Sequence, residues 1–300
     1  MKSLQGVSEE TVWIENFSSA CSKRTYRIAV EQFAGFFGME TPEQLRSVTG
    51  AHVIGFRNHL QEIGKSPRTV NNRLSALSSL FDHLVERQIL RTNPVRSVKR
   101  MKINDDRVEA RVLGPDEARR MLDSPDVSKF RGLRDRAVFG VLLFTGCRVS
   151  ELCGLKVRDY YRERGFGIVD FRIKGGKRNR LAVNQELRIF LDEYLAEAVH
   201  GDGERLPLIL PANENGNFGR FRHISARQIG RIWGKYAKAC GIEGTAPHSA
   251  RATFITQALE NNCPIEAVQR SVGHSRIETT RMYDKRTVKF RESASFAVRY

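Results

Sequence analysis

Thr145-Gly146-Cys147-Arg148-Val149-Ser150-Glu151-Leu152 divides two helices in the C-terminal half of this 300-residue chain. Upstream, Arg134 to Phe144 reads as a long apolar helix. Thr145-Gly146 breaks it, because glycine accepts backbone geometry that ends helices. A further helix should start near Arg148 to Ser150. By itself Arg148 reads equally well as a surface residue paired with Glu151 at i+3.

Downstream, Ile168 to Ile173, then Lys174-Gly175-Gly176-Lys177, then Arg180 to Val183 has strand–turn–strand character. Gln185 to Val199 is helical in pattern. Residues 201–222 read as loop around a short apolar strand, Leu206 to Leu210. Helices are expected at 225–240, 248–260, 264–272 and 276–283. Upstream, Leu113-Gly114-Pro115-Asp116-Glu117-Ala118 opens a helix. Residues 101–111 form an expected linker between a domain at 1–100 and one at 112–300. The first domain reads as an all-helical bundle. Thr11 to Ala20 is amphipathic, Ser22 caps a helix ending at Gly38, and Thr41-Pro42 opens a short turn. A third helix runs from Ala51 to Ile63, and Ser66-Pro67 opens a fourth with Val70, Leu74, Leu77, Leu80, Phe81 and Leu84 at spacings of three and four. The fold class is mainly α with a small β element, in two domains.

Two further motifs carry chemistry. Pro247-His248-Ser249-Ala250-Arg251 puts His248 and Arg251 three apart, on one helix face. Val272-Gly273-His274 precedes Tyr283 by a turn and a short helix. Together with Arg148 these give two guanidinium forks, two imidazoles and a phenol. Such a set suits a phosphodiester held between arginines and attacked by a tyrosine oxygen. A phenol with a pKa of about 10 needs neighbouring cations or a base to react.

The three motifs resemble those of the tyrosine recombinase family, which includes phage integrases and Xer-type recombinases. T-G-x-R-x-S-E-L is matched at Arg148, H-x-x-R at His248 and Arg251, and a G-H box with a tyrosine nine residues on at His274 and Tyr283. The resemblance implies a helical N-terminal DNA-binding bundle and an α+β catalytic domain. It implies site-specific DNA cleavage and rejoining through a 3′-phosphotyrosyl link, with no cofactor, no metal, and four protomers on paired double-stranded sites. Tyr283 would be the nucleophile, and Arg148, His248, Arg251 and His274 would hold the phosphate, with Glu151 supporting Arg148. The family's general acid is a lysine on the hairpin after the first arginine. The resemblance favours Lys174, with Lys177 the competitor, since Arg180-Leu181-Ala182-Val183 comes one residue late. The hairpin, with Lys174, Lys177, Arg178 and Arg180, reads equally as a finger on the DNA backbone. The chain departs from the family at Ala250 and Ala252. A type IB topoisomerase and a DNA-binding protein that no longer cuts are the alternatives. An accessory protein is left open.

Composition agrees on the partner. The net charge is +16, a surplus that favours a polyanion. Residues 1–64 hold six Lys/Arg against seven Asp/Glu, whereas residues 65–102 hold nine against two. Lys65, Arg68, Arg73, Arg96 and Lys99 in that block, with Arg178 and Arg180, are the expected DNA contacts. Five scattered cysteines, an odd number, argue against a secreted disulfide framework, and no apolar run reaches bilayer length. A cytoplasmic protein with no membrane partner is expected.

Overall fold

The computed structural model describes residues 8–103, 110–173, 176–200, 203–211 and 222–283. The chain forms two compact units, 1–105 and 106–300. Of the expected linker, residues 104–109 lie outside the described residues, as do Lys174 and the tail from Lys285 to Tyr300.

The first unit is built from α1 (Glu9–Glu15), α2 (Ala20–Phe36), α3 (Pro42–Leu45), α4 (Gly50–Glu62) and α5 (Pro67–Glu86). The start of α5 follows from its sequence. Ser66 accepts the Thr69 amide at 3.3 Å, and Pro67 fills the first helical position, where no N–H is needed. Leu74, Leu77, Leu80, Phe81 and Leu84 then lie fully buried at helical spacing, packed with Phe33 and Phe56. Two sequence expectations are corrected. The amphipathic stretch from Thr11 to Ala20 is not one element, since α1 ends at Glu15, and α2 is capped by Ser19 and not by Ser22, the Ser19 side chain accepting from Ser22 N.

The second unit follows with α6 (Pro115–Asp123), α7 (Phe130–Thr145), α8 (Val149–Gly154), β1 (Tyr160–Glu163), β2 (Phe166–Arg172), β3 (Arg178–Val183), α9 (Gln185–Glu197), α10 (Ala226–Ala239), α11 (Pro247–Glu260), α12 (Ile265–Val272) and α13 (Ile277–Arg281). Helix α7 is its axis. Val138, Phe139, Val141 and Leu142 are all fully buried, so the C-terminal half of the helix is apolar on every side and has partners all round. An ion pair within it, Arg134 Nε to Asp135 Oδ1 at 2.7 Å, is completed by Tyr236 Oη donating to Asp135 Oδ2 at 3.1 Å.

The three strands form one antiparallel sheet in order β1-β2-β3, in register at Tyr160↔Val169 and Arg172↔Arg178. Strand β1 has no counterpart in the sequence reading. The expected strand at Leu206 to Leu210 is instead core packing: Leu208 and Leu210 are fully buried, and among the described residues only the bridge Lys156↔Pro207 pairs there.

Candidate active site

The expected groups meet where four helices of the second unit begin or end. Arg148 is the N-cap of α8. Its amide donates to Glu151 Oε2 at 2.7 Å and its Nη1 to Glu151 Oε1 at 2.7 Å. Glu151 is buried and the Arg148 side chain is 41 % exposed, so the carboxylate holds the guanidinium at the mouth of a cleft. The turn before it requires glycine. Gly146 has φ +61°, and a Cβ there would lie 2.6 Å from Phe254 Cδ1.

Pro247 opens α11, placing His248 and Arg251 in its first turns. Arg251 is 1 % exposed. Its Nη1 donates to Gly146 O at 2.7 Å and its Nη2 to Val272 O at 2.8 Å. Both carbonyls end helices, where a cation is favoured. Arg251 thus fastens the ends of α7 and α12 with one N–H of each terminal nitrogen. The second N–H of each, with Nε–H, is not spent on these two carbonyls.

His248 Nε2 lies 2.9 Å from Tyr283 Oη. Burial, then Arg251 and Arg148, hold the His248 imidazole below the usual histidine range. His274 follows the left-handed Gly273 and is stacked on the Tyr283 ring, with centroids 5.6 Å apart. Its Nδ1 meets Thr280 Oγ1 at 3.0 Å. Burial, with Arg251, Arg148 and His248 adding to it, pushes His274 down to about 3, so both imidazoles are neutral near pH 7. Tyr283 itself is buried, and its carbonyl accepts from Thr256 Oγ1 at 3.0 Å. A phenol thus sits between two neutral imidazoles, with two guanidinium groups and the Glu151 carboxylate as nearby charges. The Cys147 thiol beside them is pushed up to about 12 by burial and stays protonated.

The cleft measures about 1130 Å³ and is lined by Arg148, Lys177, Asn179, Arg180, Gly273 and His274 among others. Lys177 is exposed there. The other basic residues named from sequence are scattered. Arg178 is bound to buried Asp159 (3.3 Å) and Asp170 (3.1 Å), and Arg180 pairs with Glu163. In the first unit Lys65, Arg68 and Lys99 are exposed. Arg73 Nε donates to Gln32 at 2.7 Å, and Arg96 pairs with Asp82 at 2.9 Å.

Some groups escaped the sequence reading. Thr256 and Thr280 hold the tyrosine and a histidine but carry no motif. Helix α10 presents Arg227, Arg231, Lys235 and Lys238 on its exposed face. Their spacing of four, four and three was a readable signal. Among the described residues no helix is long and apolar enough to cross a membrane.

A helical bundle is thus followed by a unit that sets a tyrosine among two histidines and two arginines. Residues 111–289 match the Phage integrase family, and residues 12–90 match the phage integrase N-terminal SAM-like domain. The chain is 32% identical over 273 residues to tyrosine recombinase XerC of Thermodesulfovibrio yellowstonii, covering 90% of this chain and 87% of that one. It is 29% identical over 278 residues to tyrosine recombinase XerD of Listeria monocytogenes, covering 90% and 89%. Two solved structures share the fold. The Tn1549 transposon integrase in complex with transposon right end DNA has a TM-score of 0.72 at 20% identity, covering 97% of this chain and 98% of that one. The XerH site-specific recombinase bound to difH has a TM-score of 0.68 at 19% identity, covering 97% and 85%. The chain belongs to the phage integrase family and is a site-specific tyrosine recombinase, of the class that cleaves DNA and exchanges strands. None of these relatives is a topoisomerase.

Proposed function

We propose that this recombinase acts on double-stranded DNA with Tyr283 as nucleophile. Its Oη attacks the scissile phosphorus while the P–O5′ bond breaks, leaving a 3′-phosphotyrosyl ester and a 5′ hydroxyl. The phenolic proton passes to His248 Nε2, and the 5′ oxygen takes its proton from the hairpin lysine, Lys174 in our reading, with Lys177 the competitor. Arg148 and the free N–H groups of Arg251 neutralise the nonbridging oxygens, and neutral His274 donates a hydrogen bond to them. The 5′ hydroxyl of the partner strand then reverses the first step. The ester keeps the bond energy, so no nucleotide is consumed. Exchange between two duplexes needs four strands cut and rejoined, which argues for four protomers on paired sites, acting in the cytoplasm. Lys65, Arg68, Arg73, Arg96 and Lys99 would grip the duplex from the first unit, and the α10 stripe with Arg178 and Arg180 from the second.

The observation that carries this reading is the 2.9 Å contact of Tyr283 Oη with a half-buried imidazole held neutral. It supplies an acceptor for a proton that must leave a weak nucleophile. The test is covalent capture on nicked duplexes, starting with sequences flanking the gene. The unsubstituted enzyme should accumulate a protein–DNA adduct. Tyr283→Phe should form none while binding DNA with nearly unchanged affinity, since phosphate contacts elsewhere dominate binding. Adducts retained in Tyr283→Phe would move the nucleophile to another residue.

A further inference from the structure

The last four carbonyls of a helix have no partner within it. At the end of α12 all four are taken, and the donors differ in kind. Gln269 O accepts from His274 N and Arg270 O from Gly273 N, each at 3.1 Å, which is the closing turn itself. Val272 O accepts from Arg251 Nη2 at 2.8 Å. Ser271 O accepts from Asn179 Nδ2, also at 2.8 Å. Asn179 is the second residue of β3, two positions beyond Lys177. One helix end therefore gathers the buried arginine, the turn carrying His274, and the strand that leaves the lysine hairpin.

The seating has a second point. A Cβ on Gly273 would lie 3.4 Å from Ile173 Cγ2 and 3.6 Å from Asn179 Nδ2. Ile173 and Asn179 flank the hairpin turn, so both sides of it rest on Gly273. The turn is closed on itself by Ile173 N to Lys177 O at 2.8 Å and Gly176 N to Ile173 O at 3.2 Å. Strand alternation sends Arg178 the other way, to Asp159 and Asp170. The hairpin base is thus fixed on both faces, and among the described residues the polar link seen on the cleft side is the Asn179 amide.

We propose that Asn179 is a positioning residue that locks the lysine hairpin to the His274 turn, setting the donor of the leaving-group proton in register with the groups that hold the phosphate. The idea rests on the hairpin lysine being the general acid. Misplacing such a donor by an ångström slows the proton-dependent step strongly. It does not remove charge from the site, so DNA affinity is untouched.

The experiment uses the full chain with Asn179→Leu, which keeps the shape without the donor, and Asn179→Gln, which keeps an amide. Two readouts are taken. In the free protein, the amides of Gly176 and His274 should exchange faster together in Asn179→Leu, by about tenfold. On the nicked duplex recovered in the covalent complex of the unsubstituted enzyme, adduct formation by Asn179→Leu should slow by about tenfold to a hundredfold. With a 5′-bridging sulfur in the same duplex the rate should return close to that of the unsubstituted enzyme, because a thiolate leaves without a proton. Asn179→Gln should recover part of the loss. A purely structural role predicts equal slowing on both substrates, and that result overturns the proposal. So does unchanged exchange at either amide. Lys174→Ala and Lys177→Ala run in parallel. If sulfur rescues neither, the general-acid reading has failed, and the amide exchange still decides whether Asn179 joins the two segments.

Discussion

At the residue scale the two arginines, interchangeable in the motifs, differ in what already holds them. Arg148 is 41 % exposed and leans on one carboxylate, whereas Arg251 is buried and ties two helix ends. Lysine keeps the charge but cannot reach two carbonyls in a fixed fork. Arg251→Lys should therefore lower stability by about 3 kcal/mol, the scale of a broken buried charged network, and abolish adduct formation. Arg148→Lys should melt close to the unsubstituted protein yet cleave about a hundredfold more slowly. Thermal melts beside adduct rates separate the two, and normal cleavage by either variant would make that arginine structural. His274 offers a pH test. Its folded pKa, about 3, lies below the ordinary histidine value of 6.5. Between those values the unfolded chain binds a proton that the folded chain refuses, so stability falls as pH drops from about 6.5 toward 3. His274→Gln should flatten that acid limb of a melting-temperature profile; an unchanged slope would mean other groups set it. Arg148, His248, Arg251, His274 and Tyr283 were legible because short-range spacing betrays them. Thr256 and Asn179 were not, since each gains its partner, the Tyr283 and Ser271 carbonyls, only when distant segments meet.

Among the elements, the α7–α8 break shows why a turn can be read from sequence and its consequence cannot. Thr145-Gly146 announced the break, but only the structure puts Phe254 2.6 Å from a would-be Cβ at Gly146 and gives the Gly146 carbonyl to Arg251. Gly146→Ala should cost about 3 kcal/mol from the left-handed backbone and the clash together, and cleavage should fall with it as Arg251 loses its anchor. Adding Phe254→Ala should recover part of the stability by removing the clash. If it recovers none, backbone strain alone is at work. Strand β1 escaped because Tyr160-Tyr161-Arg162-Glu163 does not alternate, and its hairpin turns at Arg164-Gly165, with φ of 50° and 82°, where Asn-Gly would have been the readable signal. The opposite error at Leu206 to Leu210 has a related cause. A short apolar run reports burial, and burial here comes from core packing without a ladder.

For the whole molecule, the charge asymmetry was plain in the sequence, while the way neighbouring side chains already engage part of it was not. Arg73 and Arg96 donate to Gln32 and Asp82. Exposed pairs of this kind are worth less than about 1 kcal/mol, so a phosphate can take either arginine over. Binding to duplex DNA should therefore weaken steeply with salt, log affinity falling linearly with log salt as counterions are released. Replacing Arg68, Arg73, Arg96 and Lys99 together by glutamine should reduce the slope by roughly 3 to 4 if each meets one phosphate. Replacing Arg227, Arg231, Lys235 and Lys238 on α10 probes the second unit in the same way. Phosphate contacts alone would lower affinity for every duplex alike, whereas base contacts would also erode preference for the recombination site. An unchanged slope in the first set would take the grip of the N-terminal unit away from the basic block that begins at Lys65. An unchanged slope in the second would leave the α10 stripe as solvent-facing charge.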